Sequence, residues 1–211
     1  MGTAARTGTV FVVDDDPAVR TTLSTVFARV GYEVTCFADG AALVAAARIG
    51  TPLCIILDVH IPGKSGLDIL KQLNAQDYPV PIFMMSGLGD IAMAVDAIRN
   101  GALDFIEKPF RGSDVVTRVE AAIDARTQRD DTGNGASEPQ RFYFPGREPL
   151  SRREQDVLAQ IVAGASNKEA GRKLGISPRT IEVHRAHLMQ KIGARNAADL
   201  IRIVMSEGRT Q

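Results

Sequence analysis

Tryptophan is absent, aromatic residues make up only 5% of the 211 positions, and there are just two cysteines and three histidines. So few thiols and imidazoles exclude a disulfide-stapled scaffold, and no Cys/His cluster has the spacing of a zinc site. Cys36 and Cys54 each sit inside an apolar run, "EVTCF" and "LCIIL", where a small core residue is expected. No run approaches the roughly 20 unbroken apolar residues that cross a bilayer, and "MGTAARTG" lacks the apolar stretch of a secretory signal. A cytoplasmic protein with no membrane partner is expected.

Net charge is missing too, since 25 Lys and Arg balance 25 Asp and Glu. The balance conceals an asymmetry. Residues 1–124 carry 10 basic against 15 acidic groups, residues 125–147 carry 4 against 3, and residues 148–211 carry 11 against 7. An acidic front and a basic back imply different partners, a cation at one end and nucleic acid at the other.

What is present in the front part is alternation. Five short apolar runs, "TVFVV", "YEVTCF", "LCIIL", "PIFMM" and "DFIE", are separated by stretches of helical length such as "DPAVRTTLSTVFARVG" and "DIAMAVDAIRNG". Runs that are apolar on both faces belong to a parallel sheet covered on both sides, so a doubly wound five-stranded α/β domain is predicted over residues 8–124. Residues 1–7 are expected to be a disordered N-terminus.

The run ends carry the chemistry. Asp14 and Asp15 follow the first, Asp58 the third and Ser86 the fourth, while Lys108 follows the fifth. In a parallel sheet these positions share the carboxyl edge, where open α/β folds bind ligands. Three carboxylates crowded together call for a hard cation with oxygen ligands, and Mg²⁺ takes few protein ligands and leaves room for a phosphoryl group. Lys108 suits a phosphoryl oxygen, Ser86 can donate to another, and Asp58 is then the carboxylate free to attack phosphorus. Asp16, before Pro17, reads as a helix N-cap.

"VVDDD", "ILDVHIPGKSGLDIL", "MMSG" and "DFIEKPF" together resemble the receiver domain of two-component response regulators. The resemblance makes Asp58 the phosphoacceptor, Asp14 and Asp15 the Mg²⁺-holding pair, Ser86 the switch hydroxyl, Lys108 the phosphoryl-contacting lysine and Phe105 the switch aromatic. It also implies that the backbone carbonyl of His60 is a metal ligand, that Lys108–Pro109 is cis, and that a sensor histidine kinase supplies the phosphoryl group. The side chains of His60 and Leu88 flank the path of attacking water in such domains.

"RTQRDDTGNGASEPQ" has no periodicity, so residues 125–147 read as a linker, with the aromatics of "RFYFPG" expected to lie against one of the domains. Residues 148–211 then show three helix starts, the capping boxes "SRRE" and "SNKE" and the Ser-Pro start "SPR", followed by a last helix in "NAADLIRIVMSEG". "LGIS" joins the second and third as a helix-turn-helix whose third helix reads double-stranded DNA. With Ile181, His184, Leu188 and Ile192 inward, the outer face presents Arg179, Glu182, Val183, Ala186 and Gln190, flanked by Thr180, Arg185, His187 and Lys191. Lys168 on the preceding helix joins the predicted DNA contacts.

This back part resembles the LuxR-type DNA-binding domain of FixJ/NarL response regulators, and within that family the chain most resembles FixJ-like members. The reading is a transcriptional regulator switched at Asp58, which binds paired promoter half-sites as a phosphorylation-dependent homodimer, with RNA polymerase a further candidate partner. "DIAMAVDAIRNG" has apolar residues to spare, so Ile91, Met93, Val95 and Ala97 are the predicted dimer face. Two rivals are a regulator indifferent to phosphorylation and an aspartyl-phosphate phosphohydrolase; the latter usually places Asp-x-Asp at one strand end, whereas residue 60 is His.

Overall fold

A computed structural model describes residues 8–76, 78–87, 91–132, 142–207 and 209–210. The expected disordered segment 1–7, Leu88 and the side chain of Ile91 lie outside the described residues. The chain divides into two compact units, Met1–Ile123 and Asp124–Gln211.

In the first unit β1 (Thr9–Val13), α1 (Pro17–Arg29), β2 (Glu33–Phe37), α2 (Gly40–Ile49), β3 (Cys54–Asp58), α3 (Gly66–Gln72), β4 (Ile82–Ser86), α4 (Ile91–Arg99), β5 (Asp104–Glu107) and α5 (Gly112–Thr132) alternate. The strands form one parallel sheet in the order β2-β1-β3-β4-β5. The chain moves outward from β1 to β2 and then crosses back to β3, and right-handed crossovers therefore place α1 on one face and α2, α3 and α4 on the other. β1 and β3 are paired neighbours, but the connections that leave them run to opposite faces of the sheet, which opens a crevice at their carboxyl ends.

Local chemistry starts the helices, with the predicted cap on α1 and an unforeseen one on α3. Asp16 caps α1, its carboxylate accepting from Ala18 N at 2.8 Å with Pro17 at the first helical position, and Ser65 and Asp68 form a capping box on α3. β3 and β4 are buried along their whole length, and β2 is not. Cys36 is consequently exposed, not a core residue, because β2 is an edge strand; Cys54, central in the sheet, is buried. Gly66 opens α3 against the end of β3, where an added Cβ would stand 2.3 Å from the Asp58 carbonyl oxygen, so this helix can approach the crevice only without a side chain.

The second unit holds α6 (Arg152–Val162), α7 (Asn167–Leu174), α8 (Pro178–Ile192) and α9 (Ala197–Glu207). Both predicted capping boxes form, Ser151 with Glu154 and Ser166 with Glu169, and Ser177 caps α8 ahead of Pro178. Between α7 and α8, Gly175 sits in the left-handed region at φ 69°, the conformation that lets the chain reverse tightly there. A short antiparallel pair, β6 (Phe142–Tyr143) with β7 (Arg209–Thr210), was not foreseen. Phe142 and Phe144 are buried, and the Gln155 amide brackets Phe142, accepting from its N at 2.8 Å and donating to its O at 2.7 Å. Helix α5 continues to Thr132, so the stretch read as a linker from residue 125 begins as helix.

Candidate functional site

Register fixes the acidic residues before any contact is considered. Val13 pairs with Leu57, which sets Asp14 abreast of Asp58, and Asp58 pairs in turn with Met85, one residue before Ser86. Asp14, Asp58 and Ser86 are buried, while Asp15 is exposed. One carboxylate oxygen from each of Asp14, Asp15 and Asp58 lies within 4.8 Å of the others. Such an oxygen-only donor set, with two of its carboxylates desolvated, is typical of a Mg²⁺ site.

Lys108 enters from the end of β5, its backbone N donating to Ser86 O at 2.7 Å and the following bond to Pro109 being cis. Its ammonium lies 2.7 Å from Asp14 Oδ2 and 3.1 Å from Asp58 Oδ2. Burial works against that ammonium, yet the hydrogen bonds and charges of the two carboxylates outweigh it and hold its pKa above the ordinary lysine value. Burial likewise pushes the Asp58 carboxyl above its usual range, aided by the Asp14 charge and opposed by Lys108 and the His60 backbone N–H. One ammonium thus pairs with two of three converging carboxylates, which leaves an excess of negative charge.

Arg20, which sequence reasoning passed over, braces the loop that carries the acidic pair. Its guanidinium donates to the carbonyl oxygens of Asp14 at 2.6 Å and Asp15 at 2.9 Å. The available signal was its place one turn after the Asp16 cap, on the side of α1 that faces back along the loop. On β5, Phe105 is half-buried, and Arg118 of α5 donates to its carbonyl at 2.7 Å while pairing with buried Asp104.

In the second unit Ile181, His184, Leu188 and Ile192 are buried as the periodicity of α8 requires, and Arg179, Glu182, Ala186 and Gln190 are exposed, with Val183 and Arg185 half-buried. Lys168 is exposed on α7, as are Arg172 and Lys173, two further cations not predicted as contacts. The first helix of a helix-turn-helix crosses the DNA backbone, which is the signal that would have found them.

Four predicted residues are placed differently. Thr180 is buried at the start of α8, its hydroxyl 2.8 Å from Ser177 Oγ, so it belongs to the helix cap and not to the outer face. Lys191 keeps only 9% of its side chain exposed, its ammonium held 3.0 Å from Glu154 Oε2 and 3.2 Å from Glu148 Oε1. His187 Nδ1 lies 2.7 Å from Glu154 Oε1. Both α8 residues therefore turn toward buried Glu154 of α6 instead of outward. In α4, Ala97 is fully buried, so it is not part of an open face; Met93 and Val95 are half-buried.

A doubly wound receiver-type domain with an acidic crevice, joined to a four-helix unit with a helix-turn-helix, defines a class of regulators that couple phosphorylation to DNA binding. Residues 10–120 match the response regulator receiver domain, and residues 148–204 match the LuxR family of bacterial regulatory proteins. The chain belongs to the two-component response regulators that carry a LuxR-type DNA-binding domain. It is 39% identical over 202 residues to the transcriptional regulatory protein FixJ of Bradyrhizobium diazoefficiens, covering 95% of this chain and 96% of that one. With the response regulator protein TodT of Pseudomonas putida it shares 37% over 198 residues, covering 94% and 86%. Among solved structures, full-length FixJ from B. japonicum is similar at a TM-score of 0.50 and 34% identity, covering 94% of this chain and 96% of that one.

The protein is accordingly a phosphorylation-regulated response regulator and a transcription factor, with no catalytic role beyond the chemistry of its own aspartyl phosphorylation. Its receiver implies a histidine kinase as partner, and its helix-turn-helix implies DNA. No described helix is long and apolar enough to cross a membrane.

Proposed function

We propose that Asp58 is the residue phosphorylated, and that its phosphorylation creates a homodimer that binds paired promoter half-sites. One observation carries the reading: three carboxylates converge within 4.8 Å while Lys108 reaches both buried ones. Asp14, Asp15 and Asp58, with the His60 carbonyl, would hold Mg²⁺, which when bound neutralises the phosphoryl oxygens. An Asp58 oxygen forms the new bond to phosphorus as the bond to the donor histidine nitrogen breaks. Lys108 turns from its carboxylate partners to a phosphoryl oxygen, and the Ser86 hydroxyl donates to another. Ser86 drawn toward the phosphoryl group makes room for Phe105 to turn inward, reshaping the face formed by α4 and β5.

Met93 and Val95 lie on that reshaped face, and pairing through it brings two DNA-binding units together. Once one unit sits on its half-site, the second binds at an effective concentration that raises avidity by about 10²–10⁴ without any new contact. Arg179, Glu182, Val183, Arg185 and Ala186 face the major groove, and Lys168 lies against phosphate. RNA polymerase is the further partner of the promoter-bound dimer.

Intact mass after treatment with acetyl phosphate tests the site: wild type gains one phosphoryl group with Mg²⁺ and none with EDTA, and Asp58→Asn gains none. Equal labelling of Asp58→Asn would overturn the assignment. Sedimentation and DNA titration test the dimer. Met93→Glu should remove the phosphorylation-dependent gain, whereas a phosphorylated monomer that binds tightly would point instead to simple release of the DNA-binding unit.

A further inference from the structure

Beyond the exposed face of α8 itself, an α7 side chain touches two of its residues. Asn167 occupies the first position of α7 and bridges the helix-turn-helix. Its amide nitrogen donates to Glu182 Oε1 at 3.2 Å, and its amide oxygen accepts from Arg185 Nη1 at 3.3 Å. Glu182 and Arg185 stand three apart on α8 and so share a face. A short amide offers a donor to the carboxylate and, on a separate atom, an acceptor to the guanidinium, adding no charge to a surface that must meet phosphates.

The geometry points to Asn167 as a specificity-determining positioning residue, which sets the directions in which Glu182 and Arg185 meet DNA bases. This rests on the reading of α8 as the major-groove helix. An exposed glutamate has several rotamers, and any that aims its charge at phosphate is repelled. Tying Oε1 to Asn167 leaves Oε2, which has no partner among the described residues, to accept from a base donor such as cytosine N4. Arg185, tied through one guanidinium nitrogen, keeps its remaining donors for a base edge or a phosphate. Holding two long side chains in advance lowers the entropy lost on binding, and discrimination depends on that aim.

Asn167 is not needed for the helix start. Ser166 caps α7, and its capping box with Glu169 uses none of the Asn167 side chain. Removing the amide should therefore leave the fold intact.

The test is selection from a duplex library with randomised half-sites, using full-length protein treated with acetyl phosphate and Mg²⁺. Wild type, Asn167→Ala, Asn167→Asp and Glu182→Gln are compared, with thermal unfolding of each alongside. Asn167→Ala should unfold with wild type and lose preference at the same base pair as Glu182→Gln, by roughly 5-fold or more. Asn167→Asp retains the acceptor for Arg185 but sets a carboxylate against Glu182; it should lose preference at that base pair while keeping preference at any pair that Arg185 reads. If Glu182→Gln changes the selected site and both Asn167 variants keep the wild-type site, the positioning role is overturned and the reading face stands. If Glu182→Gln also selects the wild-type site, the assignment of Glu182 to base reading falls first. A uniform loss of affinity with unchanged preference would make Asn167 a backbone contact and overturn the proposal.

Discussion

Each unit of this chain buries a carboxylate against a lysine, and the two clusters resolve their charge differently. In the first unit Lys108 pairs with Asp14 and Asp58, Asp15 converges on the same point, and the Asp58 carboxyl is pushed up. In the second, Glu154 is as buried as Asp58, and desolvation likewise opposes its charge. There the Ser151 N–H, the Lys191 ammonium and His187 outweigh burial and hold its pKa below the ordinary glutamate value. One cluster has more carboxylates than its ammonium can pair and sits at the carboxyl edge of the sheet; the other is satisfied by its own helices. The difference teaches where to look for a ligand: a surplus of buried charge invites one, whereas a balanced cluster is architecture.

The largest effect should come from unbalancing the satisfied cluster. Glu154→Ala leaves the Lys191 ammonium the exposed Glu148 carboxylate as its ion-pair partner and removes the second half of the Ser151 capping box, and breaking a buried pair on one side costs about 3–5 kcal/mol. Hydrogen exchange should show lost protection in α6 and α8 with β3 and β4 unchanged. Acid should reproduce it. Because the Glu154 pKa is lowered by folding, its contribution is fully present above the unfolded value of about 4.3 and is lost as pH falls through the lower folded value. A wild-type second unit that weakens between pH 7 and 5 through Glu154 would contradict this sign.

Next in size is the response to a divalent cation. Mg²⁺ at about 100 times its Kd should stabilise the first unit by about 2.7 kcal/mol and leave the second unmoved. Asp14→Asn should remove most of that gain. If thermal unfolding with and without EDTA moved both units equally, the distinction between surplus and balance would fail.

A smaller effect of opposite sign follows for Asp58→Asn without metal. Taking one charge out of the crowded crevice keeps the shape and relieves like-charge repulsion, so this variant should unfold a few degrees above wild type, the shift that about 1 kcal/mol produces in a domain of this size. The matching neutralisation in the second unit, Glu154→Gln, should instead destabilise.

Much of this contrast was legible in the sequence, and its limits are physical. Apolar runs place the strands to within a residue because the central strands, covered on both faces, are apolar up to their last residue, and the topology alone then gathers Asp14, Asp58, Ser86 and Lys108 on one edge. The satisfied cluster was not read. Helical periodicity gives the side of α8 on which Lys191 and His187 start, but not where a long side chain ends, and both reach inward to a carboxylate 37 and 33 positions away. Thr180 and Ala97 sit at margins of their faces, where period alone does not decide depth. Arg20 acts on backbone carbonyls, which leave no mark in a residue pattern, and β6 and β7 are too short to show any alternation. Cys36 looked central only because its run is apolar, although β2 is an edge.

The smallest effect separates cations that look alike in sequence. Lys168 and Lys191 were both predicted to meet DNA, yet Lys168 is exposed on α7 whereas the Lys191 ammonium is committed to Glu154 and Glu148. A lysine that neutralises one phosphate releases its condensed counterion, so Lys168→Ala should lessen the slope of log affinity against log salt by about 0.9 and weaken all sequences alike. Lys191→Met keeps the apolar stem and removes only the buried charge. It should lower stability through Glu154 while leaving the salt slope at its wild-type value once measured well below the unfolding temperature. DNA titrations across a range of salt concentrations read both. A slope lowered equally by the two substitutions would mean that Lys191 leaves Glu154 to reach phosphate, and the cluster in the second unit would then be a reserve of charge for DNA and not a closed structural joint.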